Sequence, residues 1–355
     1  MMNKKKHINI PIFIPHVGCP HDCIFCNQRR ISGQNKPSSL SQIHEIINRH
    51  LESAKPEDSC EIAFFGGSFT GIPAIEQEEY LKLAESYVKR GFVSGIRLST
   101  RPDYINDKIL EFLKKYSVKV IELGIQSLDM DVLKNSSRFY TPEEAIKACN
   151  LVKQYGFSLG VQTMIGLPGD TFEKSQETAK KIISIKPDMV RIYPTLVIRD
   201  TGLEEIYAKG EYQPLSVDEA VLWCSKITPM YDAAGITILR IGLHDAGGLQ
   251  QKSDAVAGPV HPAFGELVYS KIWLDKVIKE LSSYGSIEGK NLIIHVPPSE
   301  VSKASGQHRS NIAFLKKHFN LSSVKISPDN AKILPDSVKI LPNKDMNKSF
   351  RIEFH

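Results

Sequence analysis

Three thiols within eight residues are the first chemistry this sequence offers. Cys19-Pro-His-Asp-Cys23-Ile-Phe-Cys26 is a C-x3-C-x2-C run, and three thiolates on one loop make a metal-ligand set. Two centres satisfy it. A [4Fe–4S] cluster anchors three irons on such a run and leaves the fourth iron open for chemistry. A structural zinc takes the same thiolates, with His16 or His21 as fourth ligand. The usual companion of a zinc site, a second C-x2-C or an H-x3–5-H pair, is missing downstream, which shifts the weight to the cluster. Cys60, Cys149 and Cys224 stand singly in apolar contexts, as in a reducing compartment rather than a disulfide framework.

Other polar and glycine positions accompany the cysteines. Gly66-Gly67 ends an apolar run, Phe64-Phe65, and paired glycines let a ligand approach the backbone. No Gly-Lys-Ser/Thr follows, so this is not a phosphate loop. Gln126, Arg138 and Gln162 lie at or just past the ends of strand-like runs. A guanidinium fork suits a carboxylate partner.

These residues need a scaffold, and the sequence supplies an alternating one. Apolar runs at 8–14, 61–65, 95–99, 118–124, 158–164, 189–193 and 236–241 predict strands, with helical patterns between them. Two helix starts are explicit: Thr141-Pro142-Glu143-Glu144 and Ser216-Val217-Asp218-Glu219 both read as capping boxes. Six βα units in series predict a parallel sheet covered by helices, with chemistry at the C-terminal ends of its strands. The cysteine run directly follows the first strand. No stretch reaches the ~18–20 apolar residues of a membrane span. Asn9, Pro11 and Pro15 interrupt the apolar start, so it reads as a strand rather than a signal peptide, and the expected location is cytoplasmic.

With Phe25 before its third cysteine, the C-x3-C-x-aromatic-C run resembles the signature of radical S-adenosylmethionine (SAM) enzymes. That resemblance implies a partial (β/α)6 TIM-like barrel and two cofactors, a [4Fe–4S] cluster on Cys19, Cys23 and Cys26, and SAM on the open iron. It also implies reductive cleavage of SAM to methionine and a 5′-deoxyadenosyl radical, fed by an electron donor. Phe25 is then expected beside the adenine, and Gly66 and Gly67 at the SAM amino group, with Ser68 where many members carry an acidic residue. Resemblance to the coproporphyrinogen-oxidase-like branch aligns Gln126 and Gln162 with the ribose and Arg138 with the carboxylate. Ile165-Gly166-Leu167-Pro168-Gly169-Asp170 is similar to the family's turn after the fifth strand.

Arg101-Pro102-Asp103-Tyr104 and Arg191–Leu203 narrow this further. They resemble the radical SAM domain of the Elongator catalytic subunit, which modifies the wobble uridine of tRNA. The likeness covers roughly residues 8–270. Nothing after residue 245 resembles that subunit's acetyltransferase domain, so the acetyl donor is not part of the expectation.

Charge points to where an acidic substrate is held. Residues 1–285 carry 34 basic and 34 acidic side chains, whereas residues 286–355 carry 11 and 6. The tail's expected order is strand 291–296, short helix, Gly306-Gln307-His308-Arg309, helix 310–318, strand 324–326. That is the order of a KH-type RNA-binding unit, with Arg309 in place of the second loop glycine. Gly306, His308, Arg309, Lys316 and Lys317 are the expected RNA contacts. The predicted domains are a radical SAM barrel over 1–245, a closing segment over 246–285 and a basic α/β domain over 286–355. The leading expectation is an RNA-modifying radical SAM transferase acting on tRNA or another structured RNA, with neither membrane nor DNA as partner. The alternatives are a radical SAM enzyme for a small molecule or peptide, and a non-catalytic RNA-binding protein with structural zinc.

Overall fold

A computed structural model describes residues 6–14, 23–27, 38–243, 254–284 and 286–328, and the backbone of 338–342 and 349–354. Cys19, His16 and His21 lie outside these residues. The chain divides into two compact units, Met1–Ala220 with Met230–Pro262, and Val221–Pro229 with Ala263–His355.

The first unit is built on seven parallel strands in sequence order: β1 His7–Ile14, β2 Ser59–Gly66, β3 Gly95–Thr100, β4 Val118–Gln126, β5 Ser158–Ile165, β6 Met189–Pro194 and β8 Thr237–Ile241. A short antiparallel pair, β7 Val197–Ile198 and β9 Ala255–Ala257, forms a separate two-stranded sheet. The sheet is the predicted partial barrel; among the described residues no pairing joins β1 to β8. Helices fill the crossovers, and three of them start with capping boxes, at Ser39/Gln42, Thr141/Glu144 and Ser216/Glu219. Each box satisfies two otherwise orphaned backbone donors, which fixes where the helix begins.

The strands alternate in a way ordinary parallel sheets do not. One face carries Ile10, Ile12, Ile62, Phe64, Ile96, Leu98, Ile121, Leu123, Leu159, Val161, Val190 and Ile192, none more than 1% exposed. The other carries Asn9, Glu61, Arg97, Glu122, Gln162 and Arg191. A sheet covered on both faces by helices reads as uninterrupted apolar runs. Here the second face is the polar lining of the half-barrel. Arg97 bridges Glu61 (3.0 Å) and Glu122 (2.9 Å), and Arg191 reaches Glu122 at 2.6 Å, so the buried charges on this face neutralise one another.

The second unit holds a four-stranded sheet in the order β11-β10-β13-β12, with β10 Asn291–Val296, β11 Ser323–Pro328, β12 Val338–Pro342 and β13 Ser349–Phe354. β10 runs parallel to both its neighbours. Its core joins Leu292, Ile294 and Val296 to Leu315, Val324, Val277 and Leu281. The last two belong to helix Phe264–Leu281, so the C-terminal stretch of this unit starts at Ala263, where a boundary at 286 was expected, and Val221–Pro229 joins it. An apolar helix face needs a partner, and here it finds one in β10. Buried Asn311 ties the helices together by donating to the carbonyls of Ser270 (3.0 Å) and Ala304 (3.2 Å). Among the described residues, no helix is long and apolar enough to cross a membrane.

Candidate functional site

The site gathers at the C-terminal ends of the strands, around Cys23–Cys26. Cys23 is 6% exposed, Phe25 is buried and Cys26 is half-buried. The run turns tightly, with Cys26 N donating to Cys23 O at 2.9 Å. Two other loops clamp it. Ile24 N donates to Ser136 O (3.3 Å), and Leu203 N donates to Ile24 O (2.7 Å). Asn27 Nδ2 donates to the carbonyls of Arg199 (3.2 Å) and Asp200 (3.4 Å). Gly202 allows this docking, since a Cβ there would lie 2.9 Å from Ile24 Cγ1. Phe25 sits in an apolar cluster with Val132, Met164, Leu167, Leu203 and Tyr212.

Two arginines converge on one sulfur. Arg138 Nη1 donates to Cys23 Sγ at 3.2 Å and Arg101 Nη1 donates to it at 3.3 Å. Both guanidiniums are buried, at 5% and 4% exposed. Arg101 forks onto Asp103, through Nε at 2.9 Å and Nη2 at 2.8 Å. Arg138 is held by the Tyr140 hydroxyl, which accepts from Nε (2.9 Å) and Nη2 (2.7 Å) and itself donates to Ile125 O (2.7 Å). Burial works against the charge on Arg138, yet Tyr140 and Cys23 raise its pKa above the ordinary arginine value. Burial pushes the Tyr140 hydroxyl up to about 12, so it remains a donor at any working pH.

The remaining predicted residues continue this strip. Arg138 Nη2 donates to Gly124 O. Past Gly124 the β4–β5 register shifts, and Gln126 takes a left-handed backbone with φ 67. Gln162 Nε2 donates to Gln126 Oε1 at 3.2 Å. Gly66 has φ 105, and a Cβ on it would lie 2.6 Å from Ile14 O. Gly67 N donates to that same carbonyl at 3.0 Å, so the glycine pair backs onto the strand end from which the cysteine run leaves. Cys23, Arg138, Gln126 and Gln162 are thus linked through hydrogen bonds and the short segment Gly124–Gln126. Cys19 lies outside the described residues, and the described residues alone hold no group of three metal-ligating side chains.

Sequence reasoning missed Arg101, Asp103 and Tyr140 as site residues. Arg101 and Asp103 were visible only as part of a motif, because the partner sulfur is 78 positions away. The charged face of the sheet had a signal: Glu61, Arg97, Glu122 and Arg191 each interrupt an apolar strand between buried neighbours. The three single cysteines are buried, free thiols, and burial pushes Cys149 up to about 12, which makes it unreactive.

The expected RNA contacts belong to the second unit. Gly306 is buried with φ 75, and His308 (φ 51) and Arg309 (φ 62) are exposed. Arg309 therefore adopts the left-handed backbone that a glycine favours, at the position where the second loop glycine was expected. Lys316 and Lys317 are exposed on helix Ser310–His318.

The strip can hold negative charge. Two buried N–H donors aimed at one sulfur fit a thiolate that carries a share of a metal centre's charge. Comparison with known proteins bears on which centre. The model of the radical SAM superfamily matches residues 13–182, and that of the Radical_SAM C-terminal domain matches residues 187–273. An uncharacterized protein of Methanocaldococcus jannaschii is 31% identical over 230 residues, 61% of this chain and 70% of that one. The tRNA uridine(34) acetyltransferase of the same organism is 32% identical over 246 residues, 57% of this chain and 45% of that one. The chain thus spans less than half the length of this second relative. A solved structure of archaeal Methanocaldococcus infernus Elp3 with an N-terminal deletion matches with TM-score 0.61 and 22% identity, over 96% of this chain and 72% of that one, a likeness of fold. The cysteine run that follows β1 in sequence, the open parallel barrel and both domain matches agree: the chain belongs to the radical SAM superfamily, whose cofactors are a [4Fe–4S] cluster and S-adenosylmethionine.

Proposed function

We propose that this chain cleaves SAM reductively and uses the resulting radical to modify tRNA. The carrying observation is the pair of buried guanidiniums on Cys23 Sγ, next to the Gln126–Gln162 pair at the strand ends. In this reading Cys19, Cys23 and Cys26 hold the cluster. The chemistry supplied at this site when both cofactors are bound is one-electron cleavage of the sulfonium to methionine and a 5′-deoxyadenosyl radical.

This chain's own residues bind and orient. Arg138, whose Nε and Nη2 are held by Tyr140, contributes a buried positive charge to the strip, to which a carboxylate is attracted. Gln126 and Gln162 present amide groups for ribose hydroxyls, and Gly66-Gly67 expose backbone for an ammonium. The buried apolar cluster around Phe25 and Leu167 keeps water from the cysteine turn. The tRNA substrate is supported by the resemblance to the tRNA uridine(34) acetyltransferase and by the basic loop Gly306–Arg309 with Lys316 and Lys317. The electron comes from a low-potential one-electron donor.

The test is anaerobic turnover with dithionite and SAM, with and without bulk tRNA, read as 5′-deoxyadenosine and as modified nucleosides after tRNA digestion. The reading expects 5′-deoxyadenosine in both cases and a new nucleoside only with tRNA. Formation of 5′-deoxyadenosine with no tRNA binding at low salt leaves SAM cleavage standing and removes RNA as substrate.

A further inference from the structure

We propose that Arg101 raises the reduction potential of the cluster through its hydrogen bond to Cys23 Sγ, with Asp103 as the positioning residue that aims it. This rests on the reading of Cys23 as a cluster ligand.

The two arginines on that sulfur are differently committed. Arg138 has a neutral phenol as its main partner, so its charge remains to be matched by an anion. Arg101 already has a carboxylate: Asp103 takes Nε and Nη2, which leaves Nη1 pointing at the sulfur 3.3 Å away. Asp103 is fixed two residues on, in the 3-10 turn Pro102–Tyr104, where the proline ring restricts the backbone. Arg101 also lies over the Tyr140 ring, 5.6 Å from its centroid, so its plane is restrained from a second side. The side chain is 4% exposed and held at three points, which keeps its N–H on the sulfur and away from bulk solvent.

The pair Arg101–Asp103 is neutral overall, so it acts on the sulfur as an oriented dipole with its N–H end forward. Reduction takes one electron from the donor and converts [4Fe–4S]2+ to [4Fe–4S]+, with no proton transferred and the added charge spread over the sulfurs. A donor on one sulfur stabilises the reduced form more than the oxidised form. At this depth of burial the effect is screened less than it would be at the surface.

The experiment is a potentiometric titration of the anaerobically reconstituted full-length protein, followed by electron paramagnetic resonance without SAM, for wild type, Arg101→Met and Arg101→Lys. Arg101→Met removes both the donor and the positive charge beside the sulfur, which disfavours the reduced form. We expect its reduction equilibrium to weaken roughly tenfold, which is about 59 mV more negative for one electron. Arg101→Lys keeps the charge and loses the fork, giving a smaller shift of the same sign. An unchanged midpoint in Arg101→Met at full iron content overturns the proposal. Should Arg101→Met take up no iron, Arg101→Lys decides by the same criterion. Loss of iron from both, with unchanged circular dichroism, also overturns it, because Arg101 is then a support for the loop. A wild-type chain that takes up no cluster overturns the reading beneath the proposal and the proposal with it.

Discussion

Gln162 Nε2 donates to Gln126 Oε1 at 3.2 Å, and the acceptor residue is the one that breaks the β4–β5 register with a left-handed backbone. A non-glycine residue in that conformation costs about 1 kcal/mol or more. The cost is tolerated where a side chain must be aimed, and here it aims an amide along the strip that ends at Cys23. Gln126→Gly should therefore leave thermal stability equal to or above wild type while weakening SAM binding roughly tenfold. Calorimetric titration of SAM alongside a melting curve checks both halves. A variant that loses stability and keeps affinity contradicts the assignment.

Gly202 sets how closely the cysteine run can be clamped. Gly202→Ala gains up to about 1 kcal/mol of helix propensity. It also places a methyl 2.9 Å from Ile24 Cγ1, an overpacking worth roughly 1–3 kcal/mol. Crowding wins, so iron bound per chain should fall. In an Ile24→Ala background the same change should be harmless, giving a favourable coupling of about 1 kcal/mol or more in a double-mutant cycle. Equal cost in both backgrounds would show that the contact does not restrain the loop.

How far the sequence led is clearest from particular residues. Strand and helix order was legible because apolar periodicity and capping chemistry are local: Thr141 and Ser216 begin their helices with the boxes their side chains spell out. Gln126, Arg138 and Gln162 were legible as strand-end residues through resemblance. Arg101 was not legible as a partner of Cys23, since nothing within a few residues of either announces a contact across 78 positions. Helix Phe264–Leu281 was legible as a helix but not as part of the second unit, because an apolar face does not name what covers it.

Asp170 gives the fold a pH dependence whose sign is fixed. Burial pushes its carboxyl up to about 6, against hydrogen bonds from Ser175 and the backbone of Gly166 and Thr171. Oδ1 has no partner. The folded state therefore holds this proton more tightly than the unfolded chain. Its stabilising contribution is complete below about pH 4 and is lost as the pH rises through about 6. Asp170→Asn cannot titrate, so its stability relative to wild type should rise by roughly 1–3 kcal/mol between pH 4 and pH 7. Denaturant melts of both proteins across that range check it; a difference that stays flat contradicts it.

Arg309 separates backbone strain from charge. Its φ of 62 is one a glycine adopts without cost. Arg309→Gly should keep or raise the melting temperature, weaken tRNA binding and lower the slope of log affinity against log salt by about 1. Formation of 5′-deoxyadenosine without tRNA should not change. If tRNA affinity and its salt slope are unaltered, the loop is not an RNA contact.

The central claim is that Cys19, Cys23 and Cys26 carry an iron–sulfur cluster. Anaerobic purification followed by iron, acid-labile sulfide and zinc analysis tests it most directly. The account predicts about four irons and about four sulfides per chain, lost together in Cys23→Ala. About one zinc per chain with neither iron nor sulfide would contradict it.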